Sequence, residues 1–155
     1  MDVAYVNPFI NATLNVFKTM LNMEVKQGKP LLKTESKYTY DISGIIGLSG
    51  SAQGSIALSF PKMMALKIVS QLIETELKVV GAELSDGIGE LTNIVAGNAK
   101  AELAATSKHT LSISLPNVVI GKNHAIIRPS QHPGIMVPFS CKLGDFSMEV
   151  SLKTE

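Results

Sequence analysis

Hydrophobic positions recur at helical spacing in three parts of the chain and at strand spacing in the rest. In "NPFINATLNVFKTMLNM", Phe9, Ala12, Leu14, Val16, Phe17 and Leu21 form a broad apolar stripe. With Asn7 as N-cap and Pro8 at the first helical position, this predicts a helix over about 8–22. "VKQGKP" then breaks the periodicity. "KYTYDISGIIGLSG" is rich in β-branched and aromatic residues and predicts a strand near 36–49. "GSAQGSIALSF" continues it after a glycine-flanked turn, so 42–60 reads as a hairpin. Pro61 ends that strand, and Met64, Leu66, Ile68, Val69, Leu72 and Ile73 predict a second helix largely covered by other elements. A third helix is predicted over about 81–106. Beyond "SKHT" come short extended runs, "LSISL", "NVVIG", "HAIIRP", "GIMVPFSC" and "FSMEVSLK", separated by turn signals. Consecutive antiparallel strands follow from that spacing, and the whole reads as one α+β domain over 1–155.

One internal echo stands out. "GIIGLSGSAQGSIALSF" and "GIMVPFSCKLGDFSMEVSL" share the order Gly-Ile-apolar, glycine turn, alternating strand. That is consistent with a pseudo-twofold repeat of two hairpins, although two unrelated hairpins of like composition would read the same way.

The third helix carries the chain's unusual chemistry. At 100° per residue, Leu84, Ile88, Leu91, Val95, Ala99 and Leu103 fall on one side. Asp86, Glu90, Asn93 and Gly97 fall on the opposite side within an arc of roughly 60°. An acid and an amide thus share the solvent crest, and their ends can reach the same object. Gly97 lies one turn further along and costs an exposed helix about 1 kcal/mol against alanine. What it supplies is absence of bulk, so a partner's backbone could lie close there. Gly89 sits on the flank of the crest, where that reading is weaker.

Composition narrows the classes. Apolar residues make up 45% and charged residues 17%, which points to an extra buried face and hence to oligomerisation. Net charge is +1 with no basic cluster, which speaks against nucleic acid as a partner. Cys141 is alone, so no internal disulfide forms, and a reducing cytoplasmic setting fits. The first residues lack the charge and apolar run of a signal peptide, and no stretch is long enough to insert in a membrane.

An E-x-x-N alone arises by chance in roughly one chain of this length in three, so spacing does not name a chemistry. Several longer stretches do. Asp86-Gly-Ile-Gly-Glu90-Leu-Thr-Asn93, followed by the glycine of "NIVAGNA", resembles the signature of the CheC/CheX/FliY group of chemotaxis phosphatases. "NPFINATLNVF", "GKP" at 28–30, "GSAQGSIALSF" before "ALKIVS", and "LPNVVIG" at 115–121 extend the likeness over nearly the full length. No glutamate other than Glu90 is followed by asparagine three residues on, and a single motif is similar to the CheX branch rather than to CheC.

The resemblance implies a CheC-like/CheX fold, with long helices on an antiparallel β-sheet layer, and a homodimer joined through the sheets. It implies a phosphatase acting on the aspartyl phosphate of a CheY-like response regulator. The receiver brings Mg²⁺ and a lysine, so no cofactor or metal of this chain's own is expected. What remains to supply is orientation of the attacking water, which a carboxamide does by accepting from water and donating nearby. Asn93 takes that role by resemblance, and Glu90 docks the receiver lysine. Asp86 is expected to add a contact and Gly97 to allow close approach. A competing reading keeps the fold but makes the chain a non-catalytic adaptor at a chemoreceptor or motor, for which the amide has no use.

Other residues have plainer readings. His109, His124 and His132 show no metal-like spacing. Cys141 and the methionines at 63 and 64 read as packing residues. "GLSGSAQG" lacks the lysine and the strand-to-helix setting of a phosphate loop. Lys62, Lys67 and Lys100 read as solubilising.

Overall fold

The computed structural model describes residues 3–32, 40–125 and 134–154. The described residues form three helices: α1 (Val3–Met20), α2 (Lys62–Ile73) and α3 (Ala82–Thr106). The strands are β1 (Lys26–Gln27), β2 (Leu31–Leu32), β3 (Tyr40–Gly50), β4 (Ala52–Phe60), β5 (Leu111–Ile113), β6 (Asn117–His124), β7 (Gly134–Cys141) and β8 (Gly144–Thr154). They form one antiparallel sheet in the order β1-β7-β8-β4-β3-β5, with β2 also on β7 and β6 also on β3. The α+β architecture is as the sequence predicts. The two echoing hairpins lie side by side as β7-β8 and β4-β3, an arrangement that does not by itself establish a duplication.

Alternation gives the sheet two unlike faces. Ile42, Ile46, Ile56, Leu58, Phe60, Phe139, Phe146, Met148 and Val150 point to the helices and are buried. The register row Ser43, Ser59 and Ser147 points the other way. Between sheet and helices, Phe146 stacks on Phe17, Phe60 and Phe139 at centroid distances of 4.7, 5.1 and 5.1 Å. Such pairs add about 0.5–1.5 kcal/mol each beyond burial, and this cluster ties α1 to three strands.

The first helix departs from expectation. It starts at Val3, so Asn7 is no N-cap and Pro8 lies inside the helix. Tyr5 and Val6 extend the buried stripe by a further turn, and their burial outweighs the amide that proline lacks. At the far end Asn22 takes a left-handed φ of 49°, and the Met23 amide donates to the Phe17 carbonyl at 3.0 Å. The "VKQGKP" break contains β1 and the start of the turn to β2, with the Gly28 amide donating to the Pro138 carbonyl at 2.7 Å. The predicted extended runs at 36–39 and in most of "HAIIRP" lie outside the described residues.

Helix α2 has Pro61 at its N-cap, which offers no side-chain acceptor. Asp41 of β3 supplies one from a distance: its Oδ2 accepts from the Lys62 amide at 2.8 Å, and its Oδ1 from the Asn123 amide at 3.3 Å. The bond from Lys62 foremost, opposed by partial burial and helped by the Asn123 amide, His124 and Lys122, holds the Asp41 carboxyl below its ordinary pKa. A depressed carboxyl adds stability above its unfolded pKa, and that stability is lost as pH falls through the folded value. Asp41→Ala is therefore expected to cost about 1 kcal/mol at neutral pH and to flatten the acid limb of the stability curve. Urea unfolding between pH 7 and pH 2 measures both, and parallel acid limbs in the two proteins would contradict the cap.

Candidate functional site

The floor of the site is the seating of α3 on β3. Leu84, Ile88, Leu91, Val95, Ala99 and Leu103 are all buried, as the spacing predicts. Thr92, next to Asn93, is also buried, and its Oγ1 donates to the Ile88 carbonyl at 2.8 Å. Directly beneath lies Gly44: a Cβ there would sit 2.1 Å from Thr92 Oγ1 and 3.0 Å from Thr92 Cβ. Only glycine in β3 lets the helix descend this far.

Two flanks hold α3 laterally, again through glycines. A Cβ on Gly87 would meet Val69 of α2 at 2.5 and 2.7 Å. One on Gly89 would lie 3.4 Å from Val118 of β6 and 3.6 Å from Pro116. Gly97 differs: no atom lies within 4 Å of a Cβ built there. Internal packing therefore accounts for glycine at 87, whereas at 89 a Cβ would make only ordinary contacts. The sequence singled out Gly97 and Gly89 but gave no role to Gly87, because its partner lies on another helix.

Asp86, Glu90, Asn93 and Gly97 do share one edge of α3. Asp86 and Glu90 are exposed, whereas Asn93 and Gly97 are half-buried, so the edge is more sheltered toward its middle than a bare crest. The side chains of Asp86, Glu90 and Asn93 make no hydrogen bond or ion pair to any described residue, so nothing within the described chain uses them. Beyond Gly97, α1 and α3 enclose a groove of about 340 Å³ lined by Pro8, Asn11, Asn15, Asn98, Ala101 and Glu102. Asn11 Nδ2 donates to Glu102 Oε1 across it at 3.1 Å.

The remaining candidates sit elsewhere. His124 is hydrogen-bonded to Ser43 Oγ at 2.7 Å and to the Gly121 carbonyl at 2.7 Å, with Ser43 bonded on to Ser59 at 2.6 Å. His109 packs on the Tyr5 ring, Met64 is buried while Met63 is exposed, and Cys141 is half-buried. His132 lies outside the described residues. Among the described residues no three His, Cys, Asp or Glu are placed to hold a metal ion. No helix among them is long and apolar enough to cross a membrane.

Comparison with known proteins gives this edge a context. The family model described as chemotaxis phosphatase CheX matches residues 42–140, which takes in the whole of α3. The chain belongs to the CheX family. The CheY-P phosphatase CheX of Thermotoga maritima is 32% identical over 124 residues, 79% of this chain and 79% of its own. A CheC-like superfamily protein from Shewanella sp. PV-4 is 38% identical, with 99% of each chain covered and a TM-score of 0.91. The CheX–CheY–BeF3–Mg²⁺ complex from Borrelia burgdorferi matches at 28% identity over 96% of this chain and 97% of that chain, with a TM-score of 0.82. The resemblance read from the sequence and its CheC-like/CheX fold are thereby borne out.

Two substitutions test the seating. Gly44→Ala should destabilise by about 1–3 kcal/mol through overpacking against Thr92. Gly97→Ala meets open space and should stabilise by up to about 1 kcal/mol through helix propensity. Thermal unfolding reads both, and equal shifts of the same sign would refute the assignment of the two glycines.

Proposed function

We propose that this CheX-family chain is a phosphatase that hydrolyses the aspartyl phosphate of a CheY-like receiver domain. The observation that supports this best is the Glu90/Asn93 pair, set on an accessible edge of a rigid helix with no use inside the described chain. The relative from Thermotoga maritima is a CheY-P phosphatase, and the Borrelia burgdorferi relative forms a complex with CheY, BeF3 and Mg²⁺. Beryllofluoride stands in for the phosphoryl group on an aspartate, so that complex corresponds to the state before hydrolysis.

In this reading the receiver carries Mg²⁺ and the phosphoaspartate, and α3 docks across its phosphorylation pocket. Glu90 pairs with the receiver's lysine and fixes the register of the helix. The Asn93 carboxamide oxygen accepts a hydrogen bond from a water placed in line with the P–O bond to the aspartate. The water oxygen attacks phosphorus, the bond to the carboxylate breaks, and the water's proton leaves on inorganic phosphate. Orientation is the main contribution, because metal and leaving group belong to the substrate. Asp86 adds a contact at the rim. Gly97 gives clearance to the approaching surface. The setting is a cytoplasmic two-component pathway.

Asn93→Ala should lower kcat by about 10²-fold or more with a small effect on binding. Glu90→Ala should weaken receiver docking by about tenfold. Gly97→Leu should leave the fold intact and abolish docking. Loss of phosphate from CheY-type receivers of the source organism, phosphorylated with acetyl phosphate, provides the assay. Full activity in both the Asn93 and Glu90 variants would move the site elsewhere, and binding without hydrolysis by the wild type would favour the adaptor.

The reading includes a homodimer joined through the sheets. Leu31 and Leu32 at one edge of the sheet and Val119 and Ile120 on β6 are exposed apolar residues in keeping with it. Light scattering at micromolar concentration should give twice the chain mass, and a single-chain mass would remove this part.

A further inference from the structure

Leu115 is the most exposed large hydrophobic side chain of the described residues, at 86%. A lone leucine in water needs no explanation by itself. This one differs in how firmly it is held and where. The Ser114 amide donates to the Gly47 carbonyl at 2.9 Å, and the Gly47 amide donates to Ser114 Oγ at 2.8 Å. Ser114 Oγ in turn donates to the Leu115 carbonyl at 2.9 Å. On the other side, Pro116 restricts the backbone of Leu115 and lies against α3 at Gly89. The link between β5 and β6, which both run along β3, is thus bonded to β3 at Ser114 and lies near α3 at Pro116, with the exposed leucine between them.

Its position is as telling as its rigidity. Gly89 precedes Asn93 by four residues, so both lie on the same side of α3. The Leu115–Pro116 link therefore lies on the side of α3 that carries Gly89 and, one turn on, Asn93. An apolar group on a restrained backbone beside a polar functional pair is the arrangement of an interface anchor, since little backbone ordering entropy is lost when it is buried.

Resting on the phosphatase reading above, we propose that Leu115 is a substrate-docking residue. It inserts into an apolar depression on the phosphorylated receiver domain, beside the phosphoaspartate, as Asn93 meets the phosphoryl group. Leu115 supplies affinity and sets the angle of approach, and takes no part in the hydrolytic step.

Leu115→Ala and Leu115→Met are compared with the wild type using CheY-type receivers of the source organism. The receivers are phosphorylated with acetyl phosphate for turnover, or loaded with beryllofluoride and Mg²⁺ for titration. The alanine variant should raise KM and the dissociation constant by about tenfold while kcat stays within about twofold. The methionine variant should recover most of the affinity. Melting temperature and light-scattering mass should be unchanged in both. Wild-type affinity in the alanine variant would overturn the proposal. So would a drop in mass, which would assign Leu115 to a contact between copies of this chain. A wild type inactive on every receiver would instead overturn the phosphatase reading, without recourse to any variant.

Discussion

The contact between Thr92 and Gly44 governs the rest of the molecule. A helix over a sheet ordinarily rides on side chains from both. Here the strand contributes none at the crossing, and the threonine satisfies its hydroxyl within its own helix at the Ile88 carbonyl. The helix consequently sits low and at a defined height, next to Asn93, for which the catalytic role is proposed. A reacting group displaced by an ångström can lose orders of magnitude in rate, so a backbone-set height is worth more than a side-chain cushion that can repack.

Everything around that contact restrains the same helix in other directions. Val69 of α2 closes on Gly87, and Val118 and Pro116 close on Gly89. Below, the stacked rings of Phe17, Phe60, Phe139 and Phe146 join α1 to the middle of the sheet. On the upper edge of α3, Asp86, Glu90 and Asn93 make no polar side-chain contact with the described residues. A glycine that weakens the helix by about 1 kcal/mol is offset at position 87, where it permits contact with α2. Gly97 has no such return within the described chain, in keeping with the clearance proposed for it.

Much of this was legible in the sequence wherever the cause is local. The buried side of α3, from Leu84 to Leu103, follows from helical spacing, and the hairpin of β3 with β4 and the extended runs after residue 110 from strand spacing and turn signals, but β5 and β6 both pair with β3 rather than consecutively. What the Glu90/Asn93 pair is for was not legible from spacing, because such pairs are common on solvent faces. The role proposed for it rests on likeness along the whole chain. The misses share one cause, dependence on residues distant in sequence. Pro8 falls within α1 because Tyr5 and Val6 find cover elsewhere in the fold. Asp41 caps a helix that starts 21 residues later. Gly44 and Gly87 matter only once Thr92 and Val69 are above or beside them, and Leu115 is notable only because Ser114 is bonded to Gly47 and Pro116 lies near Gly89.

The central claim is that α3 places the Asn93 carboxamide at the phosphoryl group of a receiver domain. A crystal structure of this chain bound to its receiver, loaded with beryllofluoride and Mg²⁺, tests it most directly. The account predicts the Asn93 side chain beside the beryllofluoride, within about 3 Å of an in-line water, with Glu90 in contact with a receiver lysine. A complex in which the receiver docks away from α3, or in which Asn93 faces solvent while the beryllofluoride is covered by other residues, would contradict it.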